Sequence, residues 1–164
     1  MEPISAQRVS VDGGSWIVSA MATIRSEVDW ESDSLVQLRV PARVEQLAVI
    51  RAATATVSAS FDLDIDAIAD ARLAVDEAST ELMTIGVPEA TLDCRFDGGS
   101  GRLWVRCATT IAGGDAILEH GLSWYVLRSI VTQLSVGADG AADGAGPRQG
   151  WIEFCIENEH RQAG

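Results

Sequence analysis

The most regular stretch of this sequence is residues 65–85, IDAIADARLAVDEASTELMTI. Its apolar side chains recur at alternating intervals of three and four residues, which is the repeat of one helix face. Asp64 is a suitable N-cap residue, and Gly86 and Pro88 follow as helix-terminating residues. The stretch therefore predicts a long amphipathic helix. Its apolar face consists of Ile68, Ala71, Val75, Ala78, Leu82 and Ile85.

The patterns on both sides of this helix predict strands and further helices. Alternating apolar residues predict strands, and apolar residues at helical spacing predict helices. In chain order, we expect a strand at 35–40 ended by Pro41, a helix at 42–60, the long helix, strands at 92–97 and 102–107 with a glycine-rich hairpin turn at 97–101, an irregular loop at 109–121, a helix at 122–134, a flexible low-complexity stretch at 137–149 and a last strand at 151–157.

This order interleaves helices and strands without a regular βαβ repeat, which favours an α+β fold. We expect a two-layer sandwich in which helices cover one face of a mixed, mostly antiparallel sheet, because alternating strands imply one covered face. Residues 34–158 form the predicted domain. Residues 1–33 are treated as an N-terminal extension of unknown role, and residues 159–164 as a polar tail.

Composition excludes several classes of function. The formal net charge of −12 disfavours direct binding to DNA or RNA, although it suits a basic protein partner. The chain contains no lysine, so neither a P-loop nor a Schiff-base lysine is possible. The three cysteines form no CxxC motif and the two histidines are far apart, so no zinc-ligand spacing is present.

No apolar run reaches the roughly 20 residues that a membrane helix needs. Residues 15–24 (SWIVSAMATI) come nearest to the core of a signal peptide. They lack a basic segment immediately before them and a clear cleavage site after them. We therefore expect a cytoplasmic protein without a membrane partner.

Two carboxylates on the long helix are the first candidates for chemistry. Glu77 and Glu81 are four residues apart and share a face, and Asp70 lies on roughly the same stripe. Paired carboxylates of this kind can bind a metal ion or act as a general base. They can equally form a solvated acidic helix face, and spacing alone leaves both interpretations open.

The run at 72–81, RLAVDEASTE, resembles the N-box of RsbW-type anti-sigma factors and serine-protein kinases, which share the histidine-kinase-like ATPase fold. The resemblance implies that Glu77 is the catalytic base and that Glu81 stands where the family has a magnesium-holding Asn. Residues 40–43, 50–51 and 121–127 resemble further family segments. The similarity extends over about residues 34–157 and is closest to the actinobacterial anti-sigma-F branch.

The resemblance also implies further site residues and partners. Arg51 corresponds to a position that contacts the sigma factor. Gly113, Gly114 and Gly121 belong to the segments expected to contact nucleotide. The implied partners are a sigma factor, an anti-anti-sigma (STAS-type) protein and a second copy of the chain in a homodimer.

Three departures from the family pattern make ATP and magnesium doubtful cofactors. Glu81 adds negative charge where the triphosphate must sit. Thr109, Thr110 and Ile111 occupy the region of the adenine-reading Asp, unless Asp115 substitutes for it. Gly121 is all that is left of a Gly-x-Gly motif before the third helix. Losing a metal ligand and a base-reading hydrogen bond costs roughly 1.5–3 kcal/mol each, so we expect weak or absent ATP binding.

Three functions follow as alternatives. The first is an anti-sigma factor of a stress- or sporulation-type system, which masks a sigma factor until an anti-anti-sigma protein releases it. The second is an active serine-protein kinase that phosphorylates the anti-anti-sigma protein with magnesium-ATP. The third is an α+β domain with another role, such as a scaffold in a stress response.

Overall fold

The structure, a computed structural model, describes residues 36–113, 117, 121–140 and 146–158. The predicted N-terminal extension and polar tail lie outside these residues, so their assignment stays a prediction. The described elements are β1 (Val36–Pro41), a 3-10 turn (Val44–Gln46), α1 (Leu47–Ser60), α2 (Ile65–Ile85), β2 (Thr91–Gly98), β3 (Arg102–Ile111), α3 (Leu122–Ile130), β4 (Gln133–Asp139) and β5 (Arg148–Glu157).

The strands form one sheet in the order β1-β2-β3-β5-β4, and every neighbouring pair is antiparallel. Cys94, Cys107, Ile152 and Val136 occupy one row across the sheet; the first three belong to the hydrophobic core, and Val136 packs against it. The helices pack over this inner face, with α1 near β1, α2 over the central strands and α3 near β4. The predicted α+β sandwich with helices on one face is confirmed.

The long helix α2 has the bounds that its sequence predicts. Asp64 caps its N-terminus, since the Asp64 carboxylate accepts a hydrogen bond from the Ala67 N–H at 2.9 Å. Gly86 leaves the helical conformation and ends α2. The helix turns its small and apolar side chains toward the core, so its backbone lies close to the sheet. Its buried residues are Ala67, Ala71, Ala74, Val75, Ala78, Ser79 and Leu82. None of the helices in the described ranges is long and apolar enough to span a membrane.

The region after α3 departs from the prediction. The helix expected at 122–134 ends at Ile130, and the stretch expected to be flexible at 137–149 begins inside β4. Leu134 and Val136 both pack against the core, which is the period of a strand. Only glycine fits at position 137, because the Trp151 ring lies across it. A Cβ there would be 2.5 Å from the nearest atom of the indole ring. In residues 133–139, pairing with β5 therefore outweighs the weak local preference for a helix end and a flexible stretch.

The outer face of the sheet, turned away from the helices, is also more buried than one covered face implies. Trp104 is 4% exposed, Trp151 5% and Cys155 0%, yet none of the three belongs to the core under the helices. Charged side chains share this face. The Arg106 guanidinium stacks on the Trp151 ring at 4.4 Å and pairs with Glu153 at 3.5 Å.

Candidate functional site

Glu77 and Glu81 lie one turn apart on α2, and both side chains are half-buried. The opposite flank of α2 contacts α1, because Asp76 and Arg72 face that helix. Glu77 and Glu81 therefore lie on the flank that faces α3 and the segment preceding it. This places the two predicted carboxylates together beside the third helix. Their predicted roles as base and metal ligand stay predictions.

Gly121 immediately precedes α3 and serves as its N-cap with φ +96°, a backbone conformation that suits glycine. It makes no side-chain capping hydrogen bond to the first turn of α3. Gly113 lies in an exposed turn just after β3. Gly114, predicted to contact nucleotide with it, lies outside the described residues, as does Asp115.

The region expected to carry the adenine-reading Asp is part of the sheet. β3 continues through Thr109, Thr110 and Ile111, each paired with a residue of β5. Thr109 is fully buried, and its hydroxyl donates to the Thr91 carbonyl at 3.0 Å. Its side chain is thus engaged in joining β2 and β3. A hydroxyl used in this way cannot replace a carboxylate that reads a base.

These residues fit magnesium-ATP poorly. Glu77 and Glu81 bring two negative charges to one flank of α2, where a nucleotide would bring more. The arginines described near α2, Arg51 and Arg72, lie on its other flank and cannot neutralise a phosphate beside Glu81. Within the described residues, no three His, Cys, Asp or Glu side chains form a metal-binding group. The expected weakness of ATP binding therefore stays a prediction.

Arg51, predicted to contact a partner, lies on the exposed side of α1. Its side chain is 43% exposed, and its Nε lies 3.6 Å from the Asp76 Oδ1 of α2. The same Nε donates to the Leu47 carbonyl at 3.3 Å. Asp76 Oδ1 is inaccessible to solvent and accepts no hydrogen bond within the described part of the chain. This contact holds the Arg51 stem against α2 and leaves other N–H groups of its guanidinium for a partner.

Arg51 borders a groove that the sequence analysis did not identify. The groove has a volume of about 410 Å³ and runs between α1 and α2. Its lining is mostly apolar, with an arginine on each helix. The sequence contains one indication of this groove, the small residues at helical spacing in α1, but small residues also suit close packing between helices. The lining residues are Ala48, Arg51, Ala52, Ala55 and Arg72.

Comparison with known proteins extends this description. The chain is 35% identical over 105 residues to the anti-sigma-F factor RsbW of Mycobacterium tuberculosis, in strains CDC 1551 / Oshkosh and ATCC 25618 / H37Rv. The chain is therefore similar in sequence to an RsbW-type anti-sigma factor. The match covers 64% of this chain and 62% of each relative, so the chain spans less than two thirds of the length of these curated relatives. No family model matches the chain.

The resemblance inferred from the N-box-like run is thereby confirmed, including its actinobacterial branch. The fold agrees with it, since the antiparallel sheet covered by helices on one face is the α+β sandwich that the resemblance implies. The role predicted for Arg51 stays a prediction.

Proposed function

We propose that this protein is an anti-sigma factor that sequesters an alternative sigma factor and is released by an anti-anti-sigma protein of the STAS type. The observation that carries the proposal is the 35% identity to proteins named anti-sigma-F factor RsbW. Masking is competitive: a sigma factor held by this protein cannot present the same surface to its other partners. The site of action is the cytoplasm, and the active form is a homodimer.

The α1–α2 groove supplies the contact surface for the sigma factor. Its alanines allow a partner side chain or helix to approach the backbone closely, and its two arginines select an acidic group at the centre. The rest of the surface is acidic, with a formal net charge of −12 for the chain. That charge attracts the basic, DNA-facing regions that surround such a contact on a sigma factor.

Binding assays with purified alternative sigma factors of the source organism test this proposal. Arg51→Ala removes one of the two groove arginines and should weaken binding about tenfold or more, because charged anchors that become buried on binding dominate interfaces. Arg128→Ala is the matched control, since Arg128 is exposed on α3. Ala52→Leu fills the groove and should have the same effect, whereas Ala59→Leu changes an exposed alanine of α1 that lies outside it.

Two results would contradict the proposal. If none of the alternative sigma factors binds, the protein has this fold but another role. Equal losses of affinity for Arg51→Ala and Arg128→Ala would show a non-specific charge effect instead of a groove contact. Native mass spectrometry of the same complexes gives their stoichiometry and tests the homodimer.

A serine-protein kinase is the alternative activity, because the N-box resemblance implies that Glu77 is the catalytic base. Incubation with labelled ATP and the STAS-type partner separates the two functions. We expect no transfer of label, because the residues around Glu81 fit magnesium-ATP poorly. Transfer that is lost in Glu77→Gln would establish the kinase instead.

A further inference from the structure

Two cysteines face each other across the centre of the sheet. Cys94 of β2 and Cys107 of β3 are Cα partners in the antiparallel register, and both are free thiols buried in the core. Residues opposite each other on neighbouring strands project from the same face of a sheet. Spacing along the chain does not indicate this pair, because its two members lie on different strands.

The turn between β2 and β3 determines which kind of pair this is. Gly99 and Arg102 exchange both backbone hydrogen bonds, at 2.9 and 3.3 Å, so they form a hydrogen-bonded pair. Hydrogen-bonded and non-hydrogen-bonded pairs alternate along an antiparallel ladder. The register from the turn onward is unbroken, and Cys94 and Cys107 form the fifth pair after Gly99 and Arg102. The two cysteines are therefore a non-hydrogen-bonded pair.

A pair of this kind has the geometry that a disulfide needs. Its Cα atoms are about 4.5 Å apart, and its side chains are closer together than those of a hydrogen-bonded pair. Disulfides bridge Cα separations of roughly 4.4–6.8 Å. The strands β2 and β3 can therefore keep their register when the two sulfurs join. Hydrogen bonding with Cys107, followed by burial, raises the pKa of the Cys94 thiol, so the two side chains are already in contact.

We propose that Cys94 and Cys107 form a site of reversible oxidation, at which hydrogen peroxide converts the dithiol into a disulfide that joins β2 to β3. One thiolate attacks the peroxide, so that an S–O bond forms, the O–O bond breaks and hydroxide leaves. The second thiolate attacks the sulfenic sulfur, so that the S–S bond forms, the S–O bond breaks and a second hydroxide leaves. Each hydroxide takes up one thiol proton and becomes water. The sulfur pair loses two electrons, and the two peroxide oxygens gain them.

The surroundings favour a disulfide over a bound metal ion. A metal ion needs thiolate ligands, and an apolar core disfavours their charge. Among the residues that the structure describes, no third His, Cys, Asp or Glu joins the pair in a metal-binding group. A disulfide is neutral and needs no further ligand, so the core can accommodate it without another polar group.

Burial beneath α2 controls access to the pair. Both cysteines are 0% exposed, and the fully buried Ser79 of α2 lies beside Cys94. Peroxide therefore reaches the sulfurs, and thiolate forms, only when this part of the core opens locally. We expect oxidation to be slower than that of an exposed thiol. Neither cysteine lines the α1–α2 groove, so the site is independent of the proposed function.

Peptide mapping of the native full-length chain tests the proposal, because trypsin separates the cysteines. Cleavage after arginine places Cys94, Cys107 and Cys155 in peptides 73–95, 107–128 and 149–161, respectively. After the reduced protein is treated with hydrogen peroxide and its remaining thiols are alkylated, we expect one disulfide, between the first two peptides. The Cys155 peptide should be alkylated, because Cys155 lies on the outer face of the sheet.

Reduction with dithiothreitol should restore both thiols of the pair. A disulfide to the Cys155 peptide, a disulfide between two chains, or oxidation of either thiol to the sulfinic acid without a disulfide would overturn the proposal.

A comparison with the unfolded chain separates the effect of the fold from that of closeness along the chain. In glutathione redox buffers, we expect the equilibrium constant for the Cys94–Cys107 disulfide to be about tenfold larger or more in native protein than in urea, because the sheet register holds the two sulfurs together. An equal or smaller constant in the native protein would refute the proposal. Cys155→Ala is the control and should leave the native constant unchanged; a lower constant in this variant would also count against the pair.

Discussion

Asn158 accepts a hydrogen bond on its Oδ1 from the backbone N–H of Asp64, at 2.9 Å. Asp64 is the N-cap of α2, so the end of β5 is tied directly to the start of the helix that carries the candidate site. The Asn158 Nδ2 donates to the Asp62 carbonyl at 3.0 Å, and its backbone N–H donates to the Gly101 carbonyl. The one asparagine of the chain thus joins the α1–α2 connection, the β2–β3 turn and β5.

We expect Asn158→Ala to lower the free energy of unfolding by about 1–3 kcal/mol, because two backbone groups lose their side-chain partners. Urea unfolding followed by circular dichroism measures the change. Gln149→Ala is the control, since Gln149 is an exposed amide on β5, the strand that precedes Asn158, and it should change stability little. Equal effects of the two substitutions would show that the Asn158 contacts make no specific contribution to the free energy of unfolding.

The sequence was sufficient to predict the elements whose local pattern and packing agree. α2 was predicted with the correct bounds because its apolar repeat, its N-cap and its terminating glycine all indicate the same helix. β4 was missed because Val131 and Leu134 continue the helical spacing of α3, while Gly137 and Ala138 resemble a flexible linker. Only the pairing with β5, which brings Trp151 over Gly137, makes this stretch a strand.

The core beneath α2 offers a second prediction. Leu82 is fully buried where α2 meets the sheet. Leu82→Ala should lower the free energy of unfolding by about 2–5 kcal/mol, because the substitution leaves a cavity in a packed interior. Leu73→Ala is the matched control on the same helix, where the side chain is exposed. A loss of less than about 1 kcal/mol for Leu82→Ala would contradict the packing described here.

Cys94 and Cys107 lie opposite each other on β2 and β3, beneath α2. Hydrogen bonding with Cys107, followed by burial, raises the pKa of the Cys94 thiol well above its ordinary value of 9.0. Both effects favour the neutral thiol in the folded state. The associated stability is complete below the unfolded pKa and is lost as the pH rises toward the folded pKa.

The free energy of unfolding should therefore fall as the pH is raised above about 9. Denaturant titrations at a series of pH values between neutrality and strong alkali measure this slope. Cys94→Ala removes the ionising group and should flatten part of the decline. An identical slope in the variant would show that the decline comes from other groups.

The candidate site was predictable only in part, for a physical reason. Spacing places Glu77 and Glu81 on one helix face, and the structure has them there. The spacing in the sequence does not show which neighbouring helix that face meets, because this depends on how α1 and α3 pack on either side of α2. The groove beside Arg51 was missed for the same reason, since its lining comes from two helices whose packing the spacing does not fix.

The charge at residue 81 offers the sharpest test of the nucleotide site. We expect isothermal titration to show magnesium-ATP affinity weaker than micromolar, because Glu81 adds an anion beside Glu77. Glu81→Asn removes that charge, restores a neutral ligand and should tighten binding by about tenfold, or 1.4 kcal/mol. Asp66→Asn is the charge-matched control, exposed in the first turn of the same helix. If both variants gain equally, general charge repulsion is responsible; if neither gains, residue 81 is not a metal-binding position in this protein.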